Sequence, residues 1–439
     1  MKRALTGLRT LQRDPLTFFG DRAQEHGGTA RFRIGPYPFV LVTQAELAHE
    51  VYVTHQGSFH KGVAMQRARA LLGNGLLTSE EPLHMRQRRI LQPAFEHHRL
   101  EEYAAAVANE ALRRRDAWSH GSTIEVAREM TWLTVAVITR TLFSVPLRRA
   151  DIEAIGAAVD DALRAFDAAA VALGATLMRL PLPRTRRFLR ARDHLDRLVT
   201  AIVAERRTTL GERPGERDAL SLLLENVDVT ERQLRDEVLT LLLAGHETVA
   251  YALAWALYLV ATHPEAERRL HAEIDEVLDG RAPGAGDLRR LPYTHCVIAE
   301  ALRLYPPSWI NSRRAVEDVE LNGTSVKRGD NVAIVLYLLH RDRRHWPQPE
   351  RFDPARFAPD AERSRARTAY VPFGAGKRRC IGRDFALMEM ALVLAAIAQV
   401  WRLRPLTPEA VRVHPQFTLR PRGGMPMRLE RRSGVSSPR

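Results

Sequence analysis

The sequence predicts a mainly α-helical fold with a small β region, formed by residues 1–430 as a single domain. Most of the chain has helical periodicity, whereas strand-like alternation of apolar and polar residues is confined to two stretches. Hydrophobic residues make up 45% and charged residues 27% of the 439 residues, which is enough apolar material for a large core. We expect a disordered tail at residues 431–439.

The β region is predicted at residues 30–43 and 317–338. The first stretch, ARFRIGPYPFVLVT, alternates around Gly35 as a strand hairpin does. The second stretch alternates in the same way and has Gly323 and Gly329 as turn signals. Both stretches are short, so they predict small sheets beside a helical body.

Helices account for most of the remaining chain. The periodicity predicts them at residues 83–116, 123–144, 148–172, 186–209, 230–262, 264–278, 291–304 and 383–401. Residues 340–373 are rich in Pro and Arg and have no clear period. A loop of this length in a compact domain usually has a function.

Residues 236–260 are apolar enough to suggest a transmembrane helix. Gly245, His246, Glu247 and Thr248 lie at their centre, where a bilayer would disfavour the carboxylate by several kcal/mol. The polar centre therefore favours a buried core helix, and we expect no transmembrane segment. The N-terminal twenty residues are charged throughout and lack the apolar run of a signal peptide, which predicts a cytoplasmic protein.

The chain is strongly basic, with 66 Lys and Arg residues against 52 acidic ones and a formal charge of +14. Such a balance suits a nucleic-acid or membrane-surface partner. The basic residues are scattered, however, and no nucleic-acid-binding motif accompanies them. A solvated surface, or an acidic protein partner, explains the charge better than nucleic acid does.

The two cysteines, Cys296 and Cys380, exclude a disulfide framework and a zinc site built on C-x-x-C pairs. Cys296 has apolar neighbours on a predicted helix and is expected to fill the core. Cys380 lies in the glycine-rich loop at residues 373–382, whose backbone amides can hydrogen-bond a thiolate. Arg378 and the N-terminus of the following helix also favour ionised sulfur.

Two other interpretations of this loop are weaker. A phosphate-binding loop would need glycine where Val371 stands and Ser or Thr where Arg378 stands. A buried structural cysteine would be the default for an isolated Cys380, but the surrounding motifs argue against it.

Those motifs resemble the cytochrome P450 family. The loop matches the family's haem-binding pattern F-x-x-G-x-R-x-C-x-G at Phe373, Gly376, Arg378, Cys380 and Gly382. Further matches in the family's order are A-G-x-E-T at 244–248, E-x-x-R at 300–303 and a P-E-R-F-like element at 353–357, in which Ala355 replaces the glutamate. The resemblance implies the P450 fold, one haem b and Cys380 as its axial iron ligand.

The resemblance also assigns roles in the long helix. It implies Glu247 and Thr248 as catalytic residues that deliver protons while O2, the co-substrate, is activated, with Ala244 beside the cofactor. On physical grounds the Thr248 hydroxyl can return to the carbonyl of Ala244, and a groove can open at Gly245. The alternative is a Glu-Thr pair that only interrupts a core helix.

The E-x-x-R match predicts a structural triad. Glu300 and Arg303 lie one helical turn apart and can pair with each other and with Arg356. Such a triad would fix the irregular segment 340–370 beneath the haem. The alternative is a solvated surface pair.

Haem propionates require basic partners. The candidates are His84 and Arg88, four residues apart on one helical face, together with Arg313 and Arg378. The family more often has Trp where His84 stands, so Arg88 is the firmer of that pair.

The resemblance implies a monooxygenase that inserts one oxygen atom from O2 into an apolar small molecule. No G-x-G-x-x-G fingerprint follows a strand, so electrons must come from a separate ferredoxin or flavodoxin with its reductase. We expect it to dock near Arg89, Lys377 and Arg379. Short phrases resemble members that hydroxylate carotenoids or long-chain lipids. The alternatives are a haem-thiolate protein that binds or senses without oxygenating, and a nucleic-acid-binding protein with accidental motif matches.

Overall fold

A computed structural model describes residues 10–11, 13–165, 183–210, 217–363, 366–407 and 409–432. Its helices are α1 (Pro15–Glu25), α2 (Ala45–His49), α3 (Val63–Leu72), α4 (Leu83–Leu91), α5 (His97–Asp116), α6 (Val126–Thr141), α7 (Arg149–Ala165), α8 (Pro183–Thr209), α9 (Ala219–Glu225), α10 (Glu231–Thr262), α11 (Pro264–Leu278), α12 (Pro292–Leu304), α13 (Leu336–Leu339), α14 (Pro359–Arg363) and α15 (Arg383–Val400).

Strands form small sheets at the margins of this helical body. They are β1 (Thr29–Ile34), β2 (Tyr37–Val42), β3 (Phe59–Lys61), β4 (Thr123–Glu125), β5 (Asn311–Ala315), β6 (Val319–Leu321), β7 (Thr324–Val326), β8 (Asn331–Ile334), β9 (Trp401–Pro405), β10 (Val413–Pro415), β11 (Leu419–Pro421) and β12 (Pro426–Arg431). The largest sheet has the order β1-β2-β8-β5-β3, and the others are β4-β12-β9, β10-β11 and β6-β7. The prediction of a mainly α fold with a small β region is confirmed.

Some predicted boundaries are wrong. The helix predicted at 83–116 is two helices, because a short 3-10 turn at Gln92–Phe95, with Pro93 near its start, separates α4 from α5. The helix predicted from residue 123 begins instead with strand β4, and the four C-terminal strands were not predicted. Residues 166–172 of another predicted helix, and 433–439 of the predicted tail, lie outside the described residues.

Helix α10 runs through the hydrophobic core and packs against α6, α12 and α15. It begins at Thr230, whose side chain accepts a hydrogen bond from the backbone amide of Gln233. By length and composition α10 is apolar enough to cross a membrane, and 83% of its most apolar window is buried inside the protein. Its position in the core brings its polar centre close to α6 and to the C-terminal hairpin β10-β11.

Candidate active site

The loop before α15 is held by its own backbone. The amide of Cys380 donates to the carbonyl of Phe373 at 2.9 Å, and that of Gly374 donates to Val371 at 3.0 Å. Gly374 and Gly376 have φ angles of 66° and 68°, which glycine adopts without strain. The sequence therefore closes a tight loop that ends at the cysteine.

Gly376 also has a steric requirement. A Cβ atom there would lie 2.0 Å from the carbonyl oxygen of Tyr52, which belongs to the π-helical turn Glu50–Thr54. The next amide, of Lys377, donates to Gln56 Oε1 at 2.8 Å. Backbone therefore packs directly on backbone at this position, and only glycine fits.

The Cys380 side chain retains accessible surface, although protein atoms surround the sulfur densely enough that desolvation raises the thiol pKa. The Gly382 amide, which hydrogen-bonds the sulfur, and the nearby Arg88 guanidinium oppose this rise. Arg378, expected to favour ionised sulfur, instead donates to Glu80 Oε2 at 2.6 Å. That part of the sequence prediction is wrong, because Glu80 holds the guanidinium.

The E-x-x-R pair is fully buried. Arg303 donates from Nε and Nη2 to the two Glu300 oxygens at 2.6 and 2.8 Å. Its Nη1 donates to the carbonyl of Pro349 at 2.7 Å, and Arg356 Nε lies 3.4 Å from Glu300 Oε1. The predicted triad is confirmed and the surface-pair alternative is wrong. The irregular segment 340–370, called the meander below, is thereby fixed to α12.

In α10, the Thr248 hydroxyl donates to the carbonyl of Ala244 at 2.7 Å, as predicted. A Cβ atom on Gly245 would lie 2.4 Å from Ile138 Cδ1 on α6, and α10 continues as helix from Glu231 to Thr262. The prediction of a groove at Gly245 is therefore wrong, because Ile138 fills the space beside this glycine. Gly245 instead allows two helices to approach closely.

Glu247 is 3% exposed and ion-paired. Its Oε1 accepts from Thr418 Oγ1 at 2.7 Å and from Arg420 Nε at 3.0 Å and Nη2. Arg420 Nη1 also donates to Asp160 Oδ1 on α7 at 2.8 Å. Sequence reasoning missed Thr418 and Arg420, which lie near the C-terminus in a short hairpin without a recognisable motif.

A cluster of cations lies beside the cysteine loop. Lys61 is 7% exposed, and burial lowers its pKa well below the usual range, with Arg313 and Arg378 adding to the effect. Burial also lowers the pKa of Arg313, and the charge of Arg378 acts in the same direction. Glu80 offsets part of this charge. Sequence reasoning identified the two arginines but missed Lys61, which is one of many scattered basic residues in the sequence.

The other predicted propionate partners lie on α4. His84 is 3% exposed, and its Nδ1 lies 3.0 Å from Glu81 Oε1. Burial is the main cause that lowers its pKa, followed by the charge of Arg378. Arg88 donates to the carbonyl of Arg379 at 2.8 Å, next to the cysteine. The helix therefore places one histidine near the cationic cluster and one arginine near the sulfur.

These residues fit a haem. The accessible sulfur of Cys380, supported by an amide and a guanidinium, suits a thiolate that would hold the haem iron. Lys61, Arg313 and Arg378 are three basic groups beside the carboxylates of Glu80 and Glu81, and an anionic partner would offset the burial and the repulsion that lower the pKa of Lys61. Two propionates supply that partner. Arg313 and Arg378 also line a cleft of about 770 Å³.

Comparison with known proteins gives the same assignment. The cytochrome P450 family model matches residues 5–426. Cyclooctatin synthase from Streptomyces melanosporofaciens is 38% identical over 416 residues, which are 93% of this chain and 90% of that protein. Cyclooctat-9-en-7-ol 5-monooxygenase from the same organism is also 38% identical, over 90% of this chain and 86% of its own. Pentalenene oxygenase from Streptomyces avermitilis is 35% identical, over 94% and 90%.

The matches span both the loop of Cys380 and the polar centre of α10, so the shared motifs are not accidental and the nucleic-acid-binding alternative is wrong. The family binds haem b and uses O2 as co-substrate, and two of the three relatives are named as a monooxygenase and an oxygenase, which supports oxygenation rather than binding or sensing alone. The chain belongs to the cytochrome P450 family and is a haem-dependent monooxygenase.

Proposed function

We propose that the enzyme hydroxylates or epoxidises a cyclic terpenoid. The observation that carries this proposal is the similarity, over nine-tenths of the chain, to relatives named for cyclooctatin, cyclooctat-9-en-7-ol and pentalenene. Leu76, in the loop between α3 and α4, and Leu241 on α10 belong to one hydrophobic cluster, so the surroundings of the polar centre of α10 are apolar, as such a ligand requires. Short phrases that resemble carotenoid and lipid hydroxylases give a second, weaker candidate class.

The net reaction is R-H + O2 + 2e⁻ + 2H⁺ giving R-OH and water. Bound haem supplies the activation of O2 and the insertion of one oxygen atom. Cys380 holds the iron as a thiolate, and the amide of Gly382 and the charge of Arg88 stabilise the negative sulfur. Phe373, Gly376 and Gly382 shape the loop. Lys61, Arg313 and Arg378 bind the propionates, with His84 beside them.

Proton delivery is assigned to Glu247 and Thr248. Thr248 holds a proton at Oγ1 and is fixed by the carbonyl of Ala244. Glu247 Oε1 is occupied by Thr418 and Arg420, whereas Oε2 is buried without a hydrogen-bond partner among the described residues. Oε2 is therefore the oxygen that would take up a proton from solvent and pass it toward Thr248.

A substrate screen tests the terpenoid assignment. Purified enzyme is titrated with cyclic terpenes, carotenoids and fatty acids, and the low-spin to high-spin shift of the Soret band is followed. We expect cyclic terpenes to give the tightest saturable shift and a hydroxylated or epoxidised product with a surrogate redox system. Tighter binding and turnover of a fatty acid or carotenoid would overturn the assignment. A Cys380→Ser variant, which should lose the thiolate spectrum, controls for non-specific effects.

We further propose a ferredoxin or flavodoxin, with its reductase, as the electron donor, which places the enzyme in the cytoplasm where these carriers work. Arg89, Lys377 and Arg379 are exposed beside the cysteine loop and provide a positive face. Lys377→Glu should lower the reduction rate by an acidic carrier about tenfold at low salt and less at high salt. Arg190→Glu, on exposed α8, is the matched control. Equal rates in the two variants would refute this docking face.

A further inference from the structure

His340 contacts two parts of the candidate site, the E-x-x-R ion pair and the segment that leads into the cysteine loop. It follows helix α13 and is fully buried. Its main-chain carbonyl accepts from Arg303 Nη1 at 3.0 Å, and its ring Nε2 accepts from the backbone amide of Val371 at 3.1 Å. One residue therefore contacts both the buried E-x-x-R ion pair and the beginning of the cysteine loop.

The ring can only act as an acceptor toward this loop. Burial, together with the charges of Arg303 and Arg341, lowers the pKa of His340 to about 3, so the ring is neutral at ordinary pH. Because Nε2 accepts from Val371, the ring proton must lie on Nδ1, which is buried and makes no hydrogen bond to a described residue. Protonation of Nε2 would place two N–H donors against each other.

The contact continues through the loop by main-chain hydrogen bonds. The amide of Val371 donates to the ring of His340, and the carbonyl of Val371 accepts from the amide of Gly374 at 3.0 Å. Two residues after Val371, the carbonyl of Phe373 accepts from the amide of Cys380 at 2.9 Å. Val371 is thus the fixed end of the turn that presents the sulfur, and His340 is the side chain that holds its amide.

We propose that His340 is a positioning residue for the cysteine ligand. Through its two hydrogen bonds, His340 ties the loop of Cys380 to the rigid Glu300–Arg303 pair. When no acceptor stands at the position of Nε2, the amide of Val371 is left buried without a hydrogen-bond partner, which destabilises this end of the loop. The loop can recover by turning that amide toward water, which moves the sulfur. This role is independent of the substrate, so it stands whichever compound the enzyme oxidises.

Substitutions that differ in reach test the proposal. His340→Gln keeps a neutral acceptor near the position of Nε2, whereas the shorter His340→Asn does not reach Val371, and His340→Leu has no acceptor. Tyr370→Phe is the matched control. The Tyr370 hydroxyl donates to the carbonyl of Ala299 at 3.0 Å, so it links the same segment to the same helix α12 without touching the loop amide.

The measurement is the rate at which the ferrous carbon monoxide adduct loses the far red-shifted Soret band of thiolate ligation, with denaturant midpoints recorded in parallel. We expect His340→Asn and His340→Leu to lose the band about tenfold faster than the wild type. His340→Gln should be close to the wild type, and Tyr370→Phe should lower the midpoint without accelerating the loss.

Equal acceleration in Tyr370→Phe and His340→Asn would overturn the proposal, since general loosening would then explain both. Equal rates in His340→Gln and His340→Asn would also overturn it. If His340→Leu yields no folded holoprotein, the comparison of the Gln and Asn variants still decides, because both side chains are neutral amides.

Discussion

Arg420 Nε lies 3.0 Å from Glu247 Oε1, although the two residues are 173 positions apart in the chain. Both side chains are buried, and the same guanidinium reaches Asp160 on α7. The C-terminal hairpin therefore supplies the counter-charge for the acid that precedes Thr248. Tyr251, one turn further along α10, has its ring 5.2 Å from the Arg420 guanidinium.

Arg420→Met should destabilise the protein by about 3 kcal/mol or more, because it leaves Glu247 buried without a cation. The double variant with Glu247→Gln should recover most of this loss, which a thermal unfolding double-variant cycle will show. Additive losses in the two variants would mean that the pair is not coupled. Lys327→Met, which breaks an exposed pair with Asp318 at 3.0 Å, should leave the unfolding temperature almost unchanged, because solvent screens this pair.

Gly245→Ala should lower the unfolding temperature, since its Cβ would meet Ile138 Cδ1, at an expected cost of about 1–3 kcal/mol. Ile138→Val removes that atom, so Gly245→Ala should lower the unfolding temperature less in the Ile138→Val background than in the wild type. Gly156→Ala on α7 is the control, because its Cβ would lie 3.5 Å from the nearest side-chain atom. Failure of Ile138→Val to rescue would show that another contact limits this position.

Gly376→Ala should prevent normal haem incorporation, because its Cβ would collide with the backbone oxygen of Tyr52. Gly374→Ala has a similar positive φ but nothing within 4 Å of the new Cβ, so it should cost only about 1 kcal/mol and keep the thiolate spectrum. The ratio of Soret absorbance to protein absorbance measures both. Normal haem content in Gly376→Ala would contradict the packing argument.

Glu237→Gln should be more stable than the wild type, and the difference in stability should grow as pH rises. Burial raises the pKa of Glu237 from 4.5 to about 8, so the folded state keeps a proton that the unfolded state releases. The contribution of protonated Glu237 to the free energy of unfolding is fully present below pH 4.5 and is lost as pH rises through about 8. Glutamine stays neutral and can still accept from the Leu76 amide, as Glu237 Oε2 does at 2.9 Å.

The advantage of Glu237→Gln over the wild type should therefore grow between pH 4.5 and 8, by at most about 1.4 kcal/mol per pH unit. Unfolding temperatures of the holoenzyme measured across this range test the trend. A difference between variant and wild type that stays constant with pH would mean that Glu237 titrates normally.

The sequence was most informative where spacing along one element determines a contact. Glu300 and Arg303 face each other because they are three residues apart in a helix, and Thr248 reaches Ala244 because it is four residues away. The break between α4 and α5 could have been recognised from Pro93. These are local rules that periodicity and motifs express directly.

Contacts between distant elements were not predictable in this way. Lys61 resembles any other lysine until β3 pairs with β5 and places it beside Arg313. His340 reaches Val371 only after the meander folds back, and Arg420 reaches α10 from the last hairpin. No spacing rule joins such residues, because their proximity is created by tertiary packing.

The surplus of positive charge at Lys61, Arg313 and Arg378 makes chain folding and cofactor loading one linked equilibrium. An anion that binds the folded chain and ignores the unfolded one stabilises the former by mass action. The yield of native protein should therefore follow the haem supply of the producing cell, and protein made under haem shortage should be degraded faster. The cluster thus makes the persistence of the folded chain depend on the arrival of its cofactor.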